Sequence, residues 1–230
     1  VITGTDRLHH FLWSSYEDKS HPAHQAFLDF YQQIDRIIAK IIASFKKLNE
    51  SEENLFILSD HGFTGIIQEV YLNAWLQKEG YLSFTTPCPK TLNDISPESV
   101  AFALDPNRIY LNLDNKFPAG HVSRGQKKEL KSEIAQKLLQ LEYNGQKVIR
   151  QVFKVEEVYK GKYTALGPDL LVLSYPGFDL KGSIRKKEIF GRSYLQGMHT
   201  WDDAFFWAAE DYGSDLAIQD IASIIMKKVK

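Results

Sequence analysis

The stretch "LFILSDHGF", residues 55–63, decides the fold. "LFILS" is a continuous apolar run of strand length, the pattern of a strand covered on both faces. It stops on Asp60, His61 and Gly62, side by side. In open α/β sheets the carboxyl ends of strands are where ligands bind. Neighbouring side chains on a strand point to opposite faces, so Asp60 and His61 can serve one site only where the chain turns, and Gly62 permits a turn. A carboxylate beside an imidazole is a good donor pair for a borderline cation such as Zn²⁺. Read alone, the same residues also fit a helix N-cap aspartate with a surface histidine beside it.

Upstream lies the strongest periodic signal of the chain. Phe27, Phe30, Ile34, Ile37, Ile38, Ile41, Phe45 and Leu48 recur mostly at three- and four-residue steps, which predicts a long amphipathic helix over residues 23–48. "NESEEN" breaks it before the strand. A long helix feeding a buried strand points to an α/β layered fold. Before the helix, "SSYEDKSHPAH" reads as a polar loop. Residues 1–5 read as a short β-prone piece that delivers Asp6. The opening "VITGTD" resembles the end of a strand already under way, so the chain is expected to be the C-terminal portion of something longer.

Downstream, "YLNAWLQKEGYL" predicts a short helix with Gly80 near its C-cap. "TTPCPKTLNDISPE" is loop-like. "SVAFALD" and "RIYLNL" predict strands joined by the turn "DPN". Residues 123–141 predict a helix with Leu130, Ile134, Leu138 and Leu141 on one face. "KVIRQVFKVEEVY" and "PDLLVLSYPG" predict strands, and "DAFFWAAE" a buried one. "SDLAIQDIASIIMKKV" predicts a closing helix with Ser214 as N-cap.

The bulk numbers narrow the function classes. Twenty-eight Lys and Arg against 29 Asp and Glu leave a net charge of −1, which gives no reason to expect a nucleic-acid or membrane surface. Cys88 is the single cysteine, so no intramolecular disulfide forms, and a reducing, cytoplasmic compartment is expected. No apolar run approaches the ~20 residues that span a bilayer.

Two further stretches carry chemistry. In "TDRLHH", Asp6 and His10 are four residues apart, so one helical turn places both on one face, where they can chelate a single ion. In "GMHTWDD", His199 follows Gly197 and precedes the last buried strand. Each of these residues alone also fits a bland surface role. Together they set Asp and His at the edges of three buried elements. His9 lies off the chelating face, His21 and His24 in "HPAH" read as structural or supporting groups, and His121 as a turn residue.

"TDRLHH", "SDHGF" and "GMHTWDDAFF", in this order, resemble the alkaline phosphatase superfamily, in its type I phosphodiesterase and nucleotide pyrophosphatase branch. "RIYLNL", "EVYKGKY" and "GPDLLVL" resemble the stretches between those motifs, so the resemblance covers nearly the whole chain. It implies an α/β fold with a mixed central sheet sandwiched by helices, incomplete on its N-terminal side. Residues 1–63 and 196–230 would form the metal-bearing core, and 64–195 an α+β stretch combining core strands with a substrate cap. Two divalent metals, Zn²⁺ or else Mn²⁺, are implied, with Asp6, His10 and His199 on one and Asp60 and His61 on the other. The family completes its site with a further Asp and a Thr or Ser nucleophile, both expected upstream of Val1. Thr3, Thr5, Thr64 and Thr200 do not occupy the nucleophile's motif position. The implied activity is hydrolysis of a small phosphoester or nucleotide. Sulfatase, phosphotransferase or phosphomutase chemistry on the same fold, or a non-catalytic metal- or nucleotide-binding module, are the alternatives. A homodimer through an exposed sheet edge is the expected self-association.

Overall fold

A computed structural model describes residues 1–49 and 53–228. The "NESEEN" break therefore lies partly outside the described residues, as do the last two residues of the basic tail. The chain divides into two compact units. One comprises Val1–Gly65 with Tyr194–Lys230, the other Ile66–Ser193.

The fold is mixed α/β, with six α-helices among the described residues and strands spread over several small sheets. In the first unit, residues 1–5 are not a strand. The helix Gly4–Glu17 already contains Asp6 and takes in residues 14–17 of the expected polar loop. Val1, Ile2 and Thr3 are exposed and, among the described residues, pair with no strand, so their weak β-propensity has no partner to act on. The helix kinks at Leu12, whose φ and ψ of −130° and 24° are not helical. The second helix, His24–Asn49, follows the predicted periodicity and buries Phe27.

The strand in "LFILS" is Phe56–Leu58, and it is not buried on both faces. Among the described residues it pairs antiparallel with Phe206–Ala208 alone, in a two-stranded sheet. Backbone and side-chain bonds between Ser59 and Phe205 close the end of that pair, at 3.0 and 2.9 Å. "DAFFWAAE" is likewise no buried strand, since Phe205 and Trp207 are exposed. The closing helix starts at Ile218 rather than after Ser214, and the Asp220 carboxylate accepts the Ala217 N–H at 2.9 Å.

In the second unit, four antiparallel strands stand in the order Ala101–Asp105, Arg108–Leu111, Leu170–Ser174, Ile149–Lys154. The "DPN" turn carries Asn107 in the left-handed region, at φ 67°, a conformation Asn tolerates. Strand Gln68–Tyr71 pairs parallel with Phe178–Lys181 and antiparallel with Phe190–Gly191, so the pairing is mixed. Helix Leu72–Lys78 and helix Lys127–Leu138 cover a core of Val70, Leu72, Leu76, Ile109, Ile134 and Leu170. "KVIRQVFKVEEVY" is a strand only to Lys154, and Val155–Val158 is a short helix.

Candidate metal centre

The first unit sets three donor groups on one point. Asp6 and His10 lie one helical turn apart on Gly4–Glu17. His199 is not in a loop. It sits on strand Gly197–Thr200, which pairs antiparallel with Gly62–Gly65 and places His199 opposite Phe63. The Nε2 atoms of His10 and His199 are 3.1 Å apart, and Asp6 Oδ1 is 3.0 Å from His199 Nε2 and 3.5 Å from His10 Nε2.

Asp60 and His61 fall between strands Phe56–Leu58 and Gly62–Gly65. The His61 ring stacks on His199 with centroids 3.6 Å apart, and its Nε2 lies 4.0 Å from Asp6 Oδ1. Asp60 Oδ1 is 3.6 Å from His61 Nε2, with its side chain 80 % exposed. Asp6, His10 and His199 thus form the tight cluster, His61 flanks it, and Asp60 stands on the solvent side.

Ring orientation is set by backbone. His10 Nδ1 donates to the Gly197 carbonyl at 2.8 Å, and His61 Nδ1 to the Gly62 carbonyl at 3.0 Å. A carbonyl only accepts, so each neutral ring carries its proton on Nδ1 and presents a bare Nε2 lone pair. Metal-ligating histidines are held in this way. Burial, and then His61 nearby, pushes the His199 pKa below its usual value, which favours the neutral, ligating form.

The donor set fits a cation. Tetrahedral Zn²⁺ with bonds of about 2.0–2.1 Å spaces its ligand atoms by about 3.4 Å, close to the 3.0, 3.1 and 3.5 Å found here. Two neutral nitrogens and one carboxylate oxygen suit a borderline divalent ion.

Neighbours missed by sequence reasoning hold this arrangement. Gln196 Oε1 accepts from the N–H and hydroxyl of Ser14, at 3.0 and 2.6 Å, and the Gln196 N–H donates to the His10 carbonyl at 2.7 Å. The strand bearing His199 is thereby clasped to the helix bearing His10. Nothing in local sequence marks Gln196 for this. The Phe63 ring lies within 4.9–6.1 Å of His10, His61 and His199 and forms an apolar floor. Gly197 leaves room for the approach: a Cβ there would meet the His9 carbonyl at 2.5 Å and the Phe63 ring at 2.7 Å. Gly62 is needed for space rather than for a turn. Its φ is not positive, and a Cβ would collide with Asp203 and Thr200.

The remaining histidines have other tasks. His9 Nε2 hydrogen-bonds with the Tyr31 hydroxyl at 2.6 Å, and its ring packs among Trp13, Phe27 and Phe63. His24 Nδ1 meets the Ser15 carbonyl at 2.7 Å, and His21 Nδ1 accepts the Ala23 N–H at 3.1 Å, so "HPAH" shapes a helix entry. His121 is exposed, in the segment leading to Val122.

The mixed α/β fold thus brings Asp6, His10 and His199 together in a cluster that could hold a cation. The sequence matches the family model of type I phosphodiesterase / nucleotide pyrophosphatase over residues 1–202, and the chain belongs to that family of phosphoester hydrolases. Searches of curated proteins and of solved structures gave no significant match. No helix among the described residues is long and apolar enough to cross a membrane.

Proposed function

We propose that the chain carries most of the metal site of a phosphodiesterase or nucleotide pyrophosphatase. The observation that supports this best is the meeting of Asp6, His10 and His199 donor atoms, 3.0–3.5 Å apart, from sequence positions up to 193 residues distant. Asp6, His10 and His199 would hold one divalent ion, Zn²⁺ or Mn²⁺. Asp60 and His61 would hold a second, with the Asp6 carboxylate close to both. Bound there, the metals supply charge neutralisation for the phosphoryl oxygens and acidify the attacking hydroxyl.

The chain's own residues supply the frame. The Gly197 and Gly62 carbonyls fix the His10 and His61 rings. The Phe63 ring packs against the three imidazoles. The Asp6 carboxylate places negative charge between three rings, which makes the cluster selective for a cation. Thr3, Thr5, Thr64 and Thr200 do not occupy the nucleophile's motif position, and no nucleophile is placed on any of them. Thr5 donates its hydroxyl to the Ile2 carbonyl and Thr200 donates to Asp203. Residues 64–195 would combine core strands with a cap over the substrate. Exposed Cys88, unpaired with any other cysteine, fits a reducing, cytoplasmic setting.

The test is hydrolysis of bis-p-nitrophenyl phosphate with added Zn²⁺ or Mn²⁺. Any turnover is expected to be lost in Asp6→Ala and His199→Ala. Residues 1–230 alone are expected to show little or none. Robust turnover by residues 1–230 would overturn the placing of the nucleophile. Activity unchanged by His199→Ala would overturn the metal reading.

A further inference from the structure

The second unit holds a cavity of about 640 Å³ that the proposed phosphoesterase site does not use. Its lining includes Arg124, Lys127, Lys128, Lys131, Lys154 and Lys162. Among the described residues, Glu156 is the one carboxylate in the same wall. Six cations around one concave surface raise its positive potential and favour anions there.

Two of these cations are fixed rather than loosely solvated. Lys131 is 4 % exposed and pairs with Glu156, itself 55 % exposed. Lys127 Nζ lies 2.7 Å from Asp169 Oδ1, a carboxylate only 1 % exposed. The others are left over. Among the described residues, Lys128, Lys154 and Lys162 have no carboxylate within ion-pairing distance of their ammonium groups. Lys127 and Lys128 also open the helix Lys127–Leu138, whose N-cap residue Gln126 makes no side-chain cap. Its side chain instead accepts from the Ser123 N–H and hydroxyl, at 3.0 and 2.9 Å. The free N–H groups of that turn add positive potential to the same wall.

We infer that this cavity binds a small molecule carrying two or more phosphate groups, at a site separate from the metal cluster. The volume lies within the range of small-ligand pockets. Several cations spread over one bowl match a polyphosphate better than a single phosphate. A nucleic acid needs an extended basic track, whereas these residues close into one cavity on a chain of net charge −1. That net charge hides the patch, which is why the composition gave no sign of it. Lys127, Lys128 and Lys131, at i, i+1 and i+4 of one helix, are its visible trace.

The experiment is calorimetric titration of the whole chain with inorganic tripolyphosphate in metal-free buffer. Saturable one-to-one binding is expected, weakening as salt rises. The double variant Lys128→Glu/Lys162→Glu changes two exposed side chains and is expected to bind about tenfold or more weakly. Unchanged circular dichroism and urea midpoint would show that it still folds. Should it not fold, Lys128→Gln/Lys162→Gln takes its place, with a loss of about fivefold expected. Asp6→Ala/His199→Ala is expected to bind tripolyphosphate like the parent, so that failure of the metal reading and of this one are told apart. Absence of saturable binding, loss only in the Asp6/His199 variant, or tighter binding of a single-stranded oligonucleotide than of tripolyphosphate would each overturn the inference.

Discussion

Gly197→Ala is a change of one methyl group that bears no ligand atom, yet it should disturb the whole cluster. The new Cβ would sit 2.5 Å from the His9 carbonyl oxygen and 2.7 Å from the Phe63 ring. Reaching even 3.0 Å from that oxygen, a distance real Cβ atoms rarely undercut, requires a retreat of 0.5 Å. The oxygen belongs to the backbone of the helix that carries Asp6 and His10, so no side chain can swing aside. The strand must move instead. It carries the Gly197 carbonyl that holds His10 Nδ1 at 2.8 Å, and two residues on it carries His199. Overpacking of this kind costs about 1–3 kcal/mol in stability. Loss of a supporting hydrogen bond to a ligating histidine costs about 10–100-fold in metal affinity. Zn²⁺ competition against a chromogenic chelator, paired with urea unfolding of the metal-free chain, measures both. Affinity within about threefold of the parent at unchanged stability would refute the reasoning.

Further outcomes follow from the same geometry. Asp6→Asn should keep the fold while weakening Zn²⁺ by at least about tenfold, because a carboxylate charge leaves the donor set; equilibrium dialysis checks it. Lowering the pH should release the ion, since protons compete for the Nε2 lone pairs; the lowered His199 pKa puts its protonation below the usual imidazole value of ~6.5, and a titration from pH 8 to pH 5 should show proton uptake coupled to release. In the second unit, Asn73→Ala removes bonds to the Ala103 carbonyl, the Gly182 carbonyl and the Ala103 N–H, at 2.8, 2.9 and 2.8 Å. Urea unfolding should show a loss of about 2–4 kcal/mol, and a loss under about 1 kcal/mol would contradict the packing described.

Local patterns in the sequence were legible where the signal is local. The apolar repeat from Phe27 onward gives the helix His24–Asn49, and "DPN" gives the turn at Asn107. The four-residue step from Asp6 to His10 places both on one helical face. Elements decided by distant partners were not. Residues 1–5 have strand-like composition, yet Gly4 and Thr5 open a helix. The apolar "LFILS" looks like a central strand, but among the described residues its only partner is Phe206–Ala208, so it is covered less than its composition predicts. The site shows the same division. Asp and His residues announce themselves, while the Gln196 clasp, the Gly197 carbonyl and the space above Gly62 exist only once helix and strand have docked.

The central claim is tested most directly by X-ray absorption of the Zn²⁺-loaded chain. Asp6, His10 and His199 acting together predict a nitrogen- and oxygen-only shell containing two or more imidazoles, at bonds of about 2.0–2.1 Å, with one imidazole fewer or no bound metal in His199→Ala. The same spectrum from the parent and from Asp6→Ala/His10→Ala/His199→Ala would contradict it.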